Sequence, residues 1–200
     1  MKEELKEELK PKKSGVYIEL GGLDGVFQSN TKWLQDEFEW AGILIEPSPN
    51  KFNECVKNRP NNSFFNCACV SFDYGSDKIK GDFIGTAMSS VGGKRKNRLP
   101  SVEVDAKTLQ EIMNLSPYND IDFLSLDVEG YELEVLKGID FTKQKIIHIL
   151  IEVYINDQEN IFHFMEKNNY TLIECISNFT KETHPGWDGT HNDYLFKLNT

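Results

Sequence analysis

Acids recur in this chain at one kind of place. Glu19 lies in the apolar run VYIEL, Glu46 closes GILI, Asp127 and Glu129 follow FLSL, and Glu152 follows IIHILI. A carboxylate at the end of a buried strand can hold ribose hydroxyls, take a proton from a reacting hydroxyl, or ligate a divalent cation. The first acid is followed by three glycines, Gly21, Gly22 and Gly25, and then by Ser29 and Asn30. Glycines there let the backbone come close to a ligand.

The loop is not a P-loop, because no Gly-Lys-Ser/Thr follows, and its glycine spacing is not GxGxxG, which argues against a nicotinamide-dependent oxidoreductase. An acid beside a pyrophosphate would be repelled. A cation beside it would be held. S-adenosylmethionine carries a sulfonium, an ammonium and a ribose. Glu46, at the end of the second apolar run, suits the ribose hydroxyls as the corresponding acid does in dinucleotide folds.

These residues need elements to hold them. VYIEL and GILIE read as strands, each followed by a helical segment: one capped by Ser29 or Asn30 and running to about Glu39, the other opened by Pro49 and ended before Pro60. SFFNCACVSF reads as a third strand region. Asp73 to Pro100 is a long excursion with room for a hairpin. VEVDAKTLQEIM gives a strand and a helix, DFLSL a strand, YELEVLKG a helix closed by Gly138, IIHILIEVY a long buried strand and QENIFHFMEKN an amphipathic helix. TLIECIS and NDYLFKL end the chain as two strands joined by a loop. Alternating strands and helices imply an α/β domain with a mostly parallel sheet, and the helix-free ending implies a reversed last strand.

The chain has 200 residues, 39% of them hydrophobic and 12% aromatic, as a single globular domain requires. Residues 1–14, with KEEL twice, read as a charged helix or lead-in, and residues 15–200 as the domain. A net charge of -10 is a poor match to a nucleic-acid backbone. No apolar run is long enough to span a bilayer. The charged start is not a secretory signal, and four cysteines without CxxC spacing suggest reduced thiols in the cytoplasm.

ELGGLDGVFQSNT, ILIEPSPNKF and FLSLDVEGYELEVLKGIDF, with the final DYLFKL, resemble the signature blocks of the FkbM family of S-adenosylmethionine-dependent methyltransferases, over roughly Val16 to Leu198. The resemblance implies a Rossmann-like class I fold, with a seven-stranded, mostly parallel sheet, an antiparallel last strand and helices on both faces. It implies O-methylation of a sugar hydroxyl on a glycan or glycoconjugate. It also implies cofactor contacts: Glu19, Gly21, Asp24 and Gly25 at the methionine end, Ser29 and Asn30 at its carboxylate, Glu46 on the ribose, and Pro47 and Ser48 beside the adenine. Cys69 and Val70 would lie at the adenine edge, and Asp127 near the sulfonium. The domain would also fit as one part of a larger glycan-modifying polypeptide.

Methyl transfer to a hydroxyl calls for alignment and a base. Asp127, Glu129 and Glu152 should converge above the sheet. Either one is the base, or Asp127 and Glu152 hold a cation such as Mg²⁺ that acidifies the hydroxyl. Each also has a plainer reading, Asp127 as a helix cap, Glu129 as a first-turn acid and Glu152 as an acid bonded to backbone. His184 and His191 flank PGWDGT. Trp187 there would stack on a sugar face, and His191 would serve as base or ligand. Met88 and Lys94, the latter in GGKRKNR, belong to the excursion assigned to acceptor recognition. His148 and His163 read as packing residues, and Trp33 and Trp40 as core. The rival class is a binding module that keeps the fold without catalysis.

Overall fold

The computed structural model describes residues 1–84, 90–91, 102–177, 179–180, 182–185 and 187–199. Within them the chain forms α1 (Lys2–Leu9), β1 (Val16–Leu20), α2 (Lys32–Phe38), β2 (Ala41–Ile45), α3 (Pro49–Asn58), β3 (Ser63–Phe65), β4 (Cys67–Val70) and β5 (Lys78–Gly81). There follow β6 (Val102–Thr108), α4 (Leu109–Leu115), β7 (Ile121–Leu126), α5 (Glu132–Leu136), β8 (Ile146–Tyr154), α6 (Gln158–Lys167), β9 (Tyr170–Cys175) and β10 (His191–Leu198).

Seven strands make the main sheet in the order β3-β2-β1-β7-β8-β10-β9. β1 pairs in parallel with β2 and β7, and β7 with β8. β10 runs antiparallel to both its neighbours, so the reversed last strand lies inside the edge strand β9. This is the sheet expected from the residues. The strand order changes direction at β1, and the cleft outside the carboxyl ends of β1 and β7 is where such sheets take ligands.

The strands are apolar because both faces are covered. One face packs Ile18, Leu20, Ile43, Leu124 and Leu126 against α4 and α6. The other packs Tyr17, Leu44, Phe123 and Leu150 against Trp33, Leu34 and Trp40. Trp33 and Trp40 are core residues as expected, and each indole N–H finds a carbonyl, that of Asn30 at 2.9 Å and that of Lys12 at 2.6 Å. α1 joins this second face: Leu5 is 1% exposed, and Lys2 and Lys6 both hold Glu37.

Two sequence expectations change. SFFNCACVSF is not one strand. It breaks at Asn66, whose side-chain amide donates to the carbonyls of Glu46 at 2.7 Å and Pro47 at 3.1 Å. β3 stays in the main sheet, and β4 enters a second sheet, β4-β6-β5, whose β5 and β6 are antiparallel. His163 is exposed on α6 rather than packed, whereas His148 is buried in β8.

Candidate active site

Glu19 does not reach the cleft. It is 3% exposed and is wrapped by the loop it precedes: the Ser29 and Thr31 hydroxyls donate to it at 2.9 and 2.7 Å, and the Asn30 N–H at 2.8 Å. The Arg59 guanidinium, fully buried, stands 3.6 Å away and donates to the Gly25 carbonyl, the Tyr17 hydroxyl and Thr31. Burial pushes the Glu19 carboxyl up, and Arg59, Thr31 and Ser29 pull it back. An isolated buried carboxylate would be costly, and this network is what permits it. Glu19 therefore shapes the loop from behind and is not among the residues that line the cleft.

Ser29 and Asn30 are drawn into the same network. The Ser29 hydroxyl oxygen also accepts from the Lys32 N–H at 3.0 Å, at the start of α2, whose N-cap residue is Thr31, and the Asn30 amide reaches Ser125 at 3.1 Å. Asp24 turns the loop, its Oδ1 accepting from Val26 and Phe27. Gly25 has φ +78°, a left-handed conformation that only glycine takes without strain, and an added β-carbon would meet Arg59 and Cys55.

Gly21 is the glycine at the cleft itself. Its φ is +78°, and a β-carbon there would lie 2.0 Å from the Asp127 carbonyl oxygen. The ends of β1 and β7 are thus pressed together, and a cleft opens beside them. Gly21, Glu46, Pro47, Cys69, Asp127 and Glu129 line it, with Phe27, Ala68, Phe83 and Tyr131 as apolar walls. Apolar walls with a few polar groups among them are the character of a small-molecule site. The expected neighbours Asp24, Gly25, Ser48 and Val70 lie outside its lining. Val70 is buried with its carbonyl against Gly138, where a β-carbon would stand 2.2 Å away.

Glu46 is 5% exposed, with one oxygen accepting from the Leu23 N–H at 2.9 Å and the other from Ser48 N–H at 2.7 Å. Each oxygen keeps a lone pair. Burial pushes this carboxyl up to about 7. A flat apolar slot with a carboxylate at its end fits a nucleoside.

A second room adjoins the first. Gln28, Asp127 and Glu129 line both. The second is bounded further by Ser29, Asn30, Trp33, Glu152, Phe179, His191 and Asp193, and by Met1, Lys2 and Leu5 of the N-terminal segment. Its acids come from adjacent strands: Asp127 follows β7, Glu152 is in β8 and Asp193 in β10. Glu152 pairs with Asp193 in register, and each is 7% exposed. His191 Nε2 is 3.2 Å from Glu152 Oε1, whereas among the described residues the buried Glu152 Oε2 has no hydrogen-bond partner. Burial, then Asp127, Glu129, Glu132 and Asp193, push the Glu152 carboxyl far up, and burial with Asp127 pushes Asp193 up to about 7. The Tyr154 hydroxyl donates to Glu129 at 2.8 Å, and Glu129 itself takes φ +60° in the turn after β7.

The structure thus brings together Asp127, Glu129, Glu152 and His191. Trp187 and His184 are set apart from both rooms. Trp187 donates its indole N–H to the His191 carbonyl at 2.8 Å and so fixes the start of β10, and His184 is exposed, packed on Phe179. Met88 and Lys94 lie outside the described residues. Among the described residues no group of three or more His, Cys, Asp or Glu is arranged to hold a metal ion, so the expected pair Asp127 and Glu152 lacks a third ligand there.

Three residues were missed in the sequence. Asp193 had a signal, an acid inside an apolar last strand. Glu132, in the same block as Asp127 and Glu129, is 2% exposed and accepts from the Val128 and Gly130 N–H groups at 3.0 and 3.1 Å, so it locks the turn that carries both acids. Arg59 had none.

The fold recurs in solved methyltransferases. Precorrin-6y C5,15-methyltransferase from Geobacter metallireducens GS-15 superposes with a TM-score of 0.56 at 10% identity, over 100% of this chain and 87% of that one. TrmK of M. capricolum, solved with S-adenosyl-homocysteine, gives 0.54 at 12% identity, over 98% and 68%. Aeropyrum pernix fibrillarin, solved with natively bound S-adenosyl-L-methionine, gives 0.54 at 10%, over 92% and 67%. No curated protein sequence matches this chain. The model of one family, the methyltransferase FkbM domain, matches residues 19–172, which run from the acid behind the glycine loop into β9 and include the whole lining of the first room, and the chain belongs to that family.

Proposed function

We propose that the protein transfers a methyl group from S-adenosylmethionine to a sugar hydroxyl of a glycan or glycoconjugate. The observation that carries this reading is the pair of joined rooms, an apolar slot ending in Glu46 and an acidic one holding Glu152 and His191, with Asp127 and Glu129 at the junction. When bound, S-adenosylmethionine supplies a methyl group on a sulfonium cation, and its transfer to a hydroxyl releases one proton. Glu46 would hold the ribose, Pro47, Cys69 and Phe83 the adenine, and Asp127 the positive end.

Glu152 and His191 take the proton. Glu152 is made basic by burial and by the acids around it, as a base for a hydroxyl must be. A positive charge at the junction favours its ionised form before transfer. His191, held at 3.2 Å, then shares the proton. Mg²⁺ on Asp127 and Glu152, with water completing its shell, is the finer alternative. The acids of the second room, with a net charge of -10, suit a sugar and disfavour a nucleic-acid backbone. Among the described residues no helix is long and apolar enough to cross a membrane, and the four cysteines are free, which supports a cytoplasmic enzyme.

Calorimetric titration of S-adenosylhomocysteine, with and without Mg²⁺, tests the cofactor slot. Labelled methyl transfer to a glycoside panel tests the acceptor. An absence of cofactor binding under every condition overturns the reading.

A further inference from the structure

The second room holds more acids than a neutral sugar needs. Glu152 and Asp193 are paired directly across β8 and β10, and both are more than nine-tenths buried. Like charges this close in a low-dielectric site repel strongly unless a cation or protons intervene. Glu152 lines the room, and among the described residues its buried Oε2 has no hydrogen-bond partner. A buried oxygen left unpaired costs stability, so it marks a place where a donor is expected to arrive. Two aromatic side chains also line the room, Phe179 beside His191 and Trp33 near the N-terminal segment. The chain sets its own ammonium over the Trp33 ring, with Lys2 Nζ 5.9 Å from its centroid. Acids and an indole lining one room are groups that hold an amine.

Asp127 borders both rooms and faces the slot assigned to the cofactor, whose sulfonium and ammonium it would offset. Glu152 and Asp193 border only the second room, so they remain for the acceptor.

We infer that the acceptor carries a protonated amine beside the hydroxyl that is methylated, as an unacetylated amino sugar does, and that Glu152 and Asp193 bind that ammonium. This rests on the methyltransferase reading and narrows its substrate. The amine keeps its protons while bound. The bond that forms is still from the hydroxyl oxygen to the methyl carbon, the carbon–sulfur bond breaks, and the hydroxyl proton leaves to His191, which Glu152 holds at 3.2 Å.

The test uses the full chain saturated with S-adenosylhomocysteine and three probes: methyl glucosaminide, methyl N-acetylglucosaminide and methyl glucoside. The amine is expected to bind about tenfold more tightly than either neutral glycoside. Asp193→Asn and Glu152→Gln, each checked for retained cofactor binding, are expected to reduce that preference to within about twofold. Equal or better binding of the neutral glycosides, no response to the amine, or a preference that survives in both variants overturns the inference while leaving the methyltransferase intact. Failure of S-adenosylhomocysteine to bind the wild type overturns both, and is read first.

Discussion

Gly21 and the carbonyl of Asp127 are in contact so close that any β-carbon at Gly21 would stand 2.0 Å from that oxygen. The residue that opens the cofactor loop and the residue that borders both rooms are therefore one mechanical unit. Gly21→Ala forces them apart and also places alanine at φ +78°. The expected cost is about 2–4 kcal/mol, read by urea denaturation, with loss of measurable S-adenosylhomocysteine binding by calorimetry.

Glu46→Gln keeps the size of the side chain and removes its charge. One oxygen remains to accept from Leu23 or Ser48, but not both. S-adenosylhomocysteine should bind roughly tenfold more weakly, about 1.4 kcal/mol. In the wild type the same carboxyl is held up at about 7 by burial, so it is a carboxylate only above that pH. Affinity should rise from pH 6 to pH 8, and the rise should be absent in Glu46→Gln. A flat wild-type profile would remove Glu46 from the ribose.

Three buried carboxyls, Glu46, Glu132 and Asp193, are each raised to about 7. In the unfolded chain they ionise near 4 to 4.5. Between those values the folded protein keeps protons that the unfolded chain has lost, so stability falls as pH rises. The ligand-free protein should be most stable near pH 5 and melt roughly 15 °C lower at pH 8. Differential scanning calorimetry across that range decides it, and a melting temperature that climbs toward pH 8 would contradict the burial of these acids.

Arg59→Met leaves Glu19 buried without its cation. The loss should be about 3–5 kcal/mol. Glu19→Gln in the same chain should return part of it, because the uncompensated charge is then gone. Chemical denaturation of both single variants and the double variant measures the coupling. Additive losses would mean that the two side chains do not act as a pair.

Much of this was legible in the residues, and for a reason. Glu46, Asp127 and Glu152 each end or follow a run of apolar residues, and a parallel strand covered on both faces is such a run, so its end is marked by the first acid. The reversed β10 was legible from a connection too polar to be a helix. What stayed hidden depends on partners distant in sequence. Glu19 resembles a ligand-facing acid until Arg59 is placed behind it. SFFNCACVSF reads as unbroken because the break at Asn66 comes from two carbonyls after β2. Asp193 gained its meaning only from its register with Glu152.

α1 looked like a charged lead-in because six of its eight residues are Lys or Glu. Yet Leu5 and Lys2 border the acidic room, so the first turns of the chain form part of its mouth. Residues added ahead of Met1 would therefore hang over that mouth, whereas β10 carries the chain away from it, since His191 at its start lines the room and its pairing with β8 runs from Tyr154 back to His148.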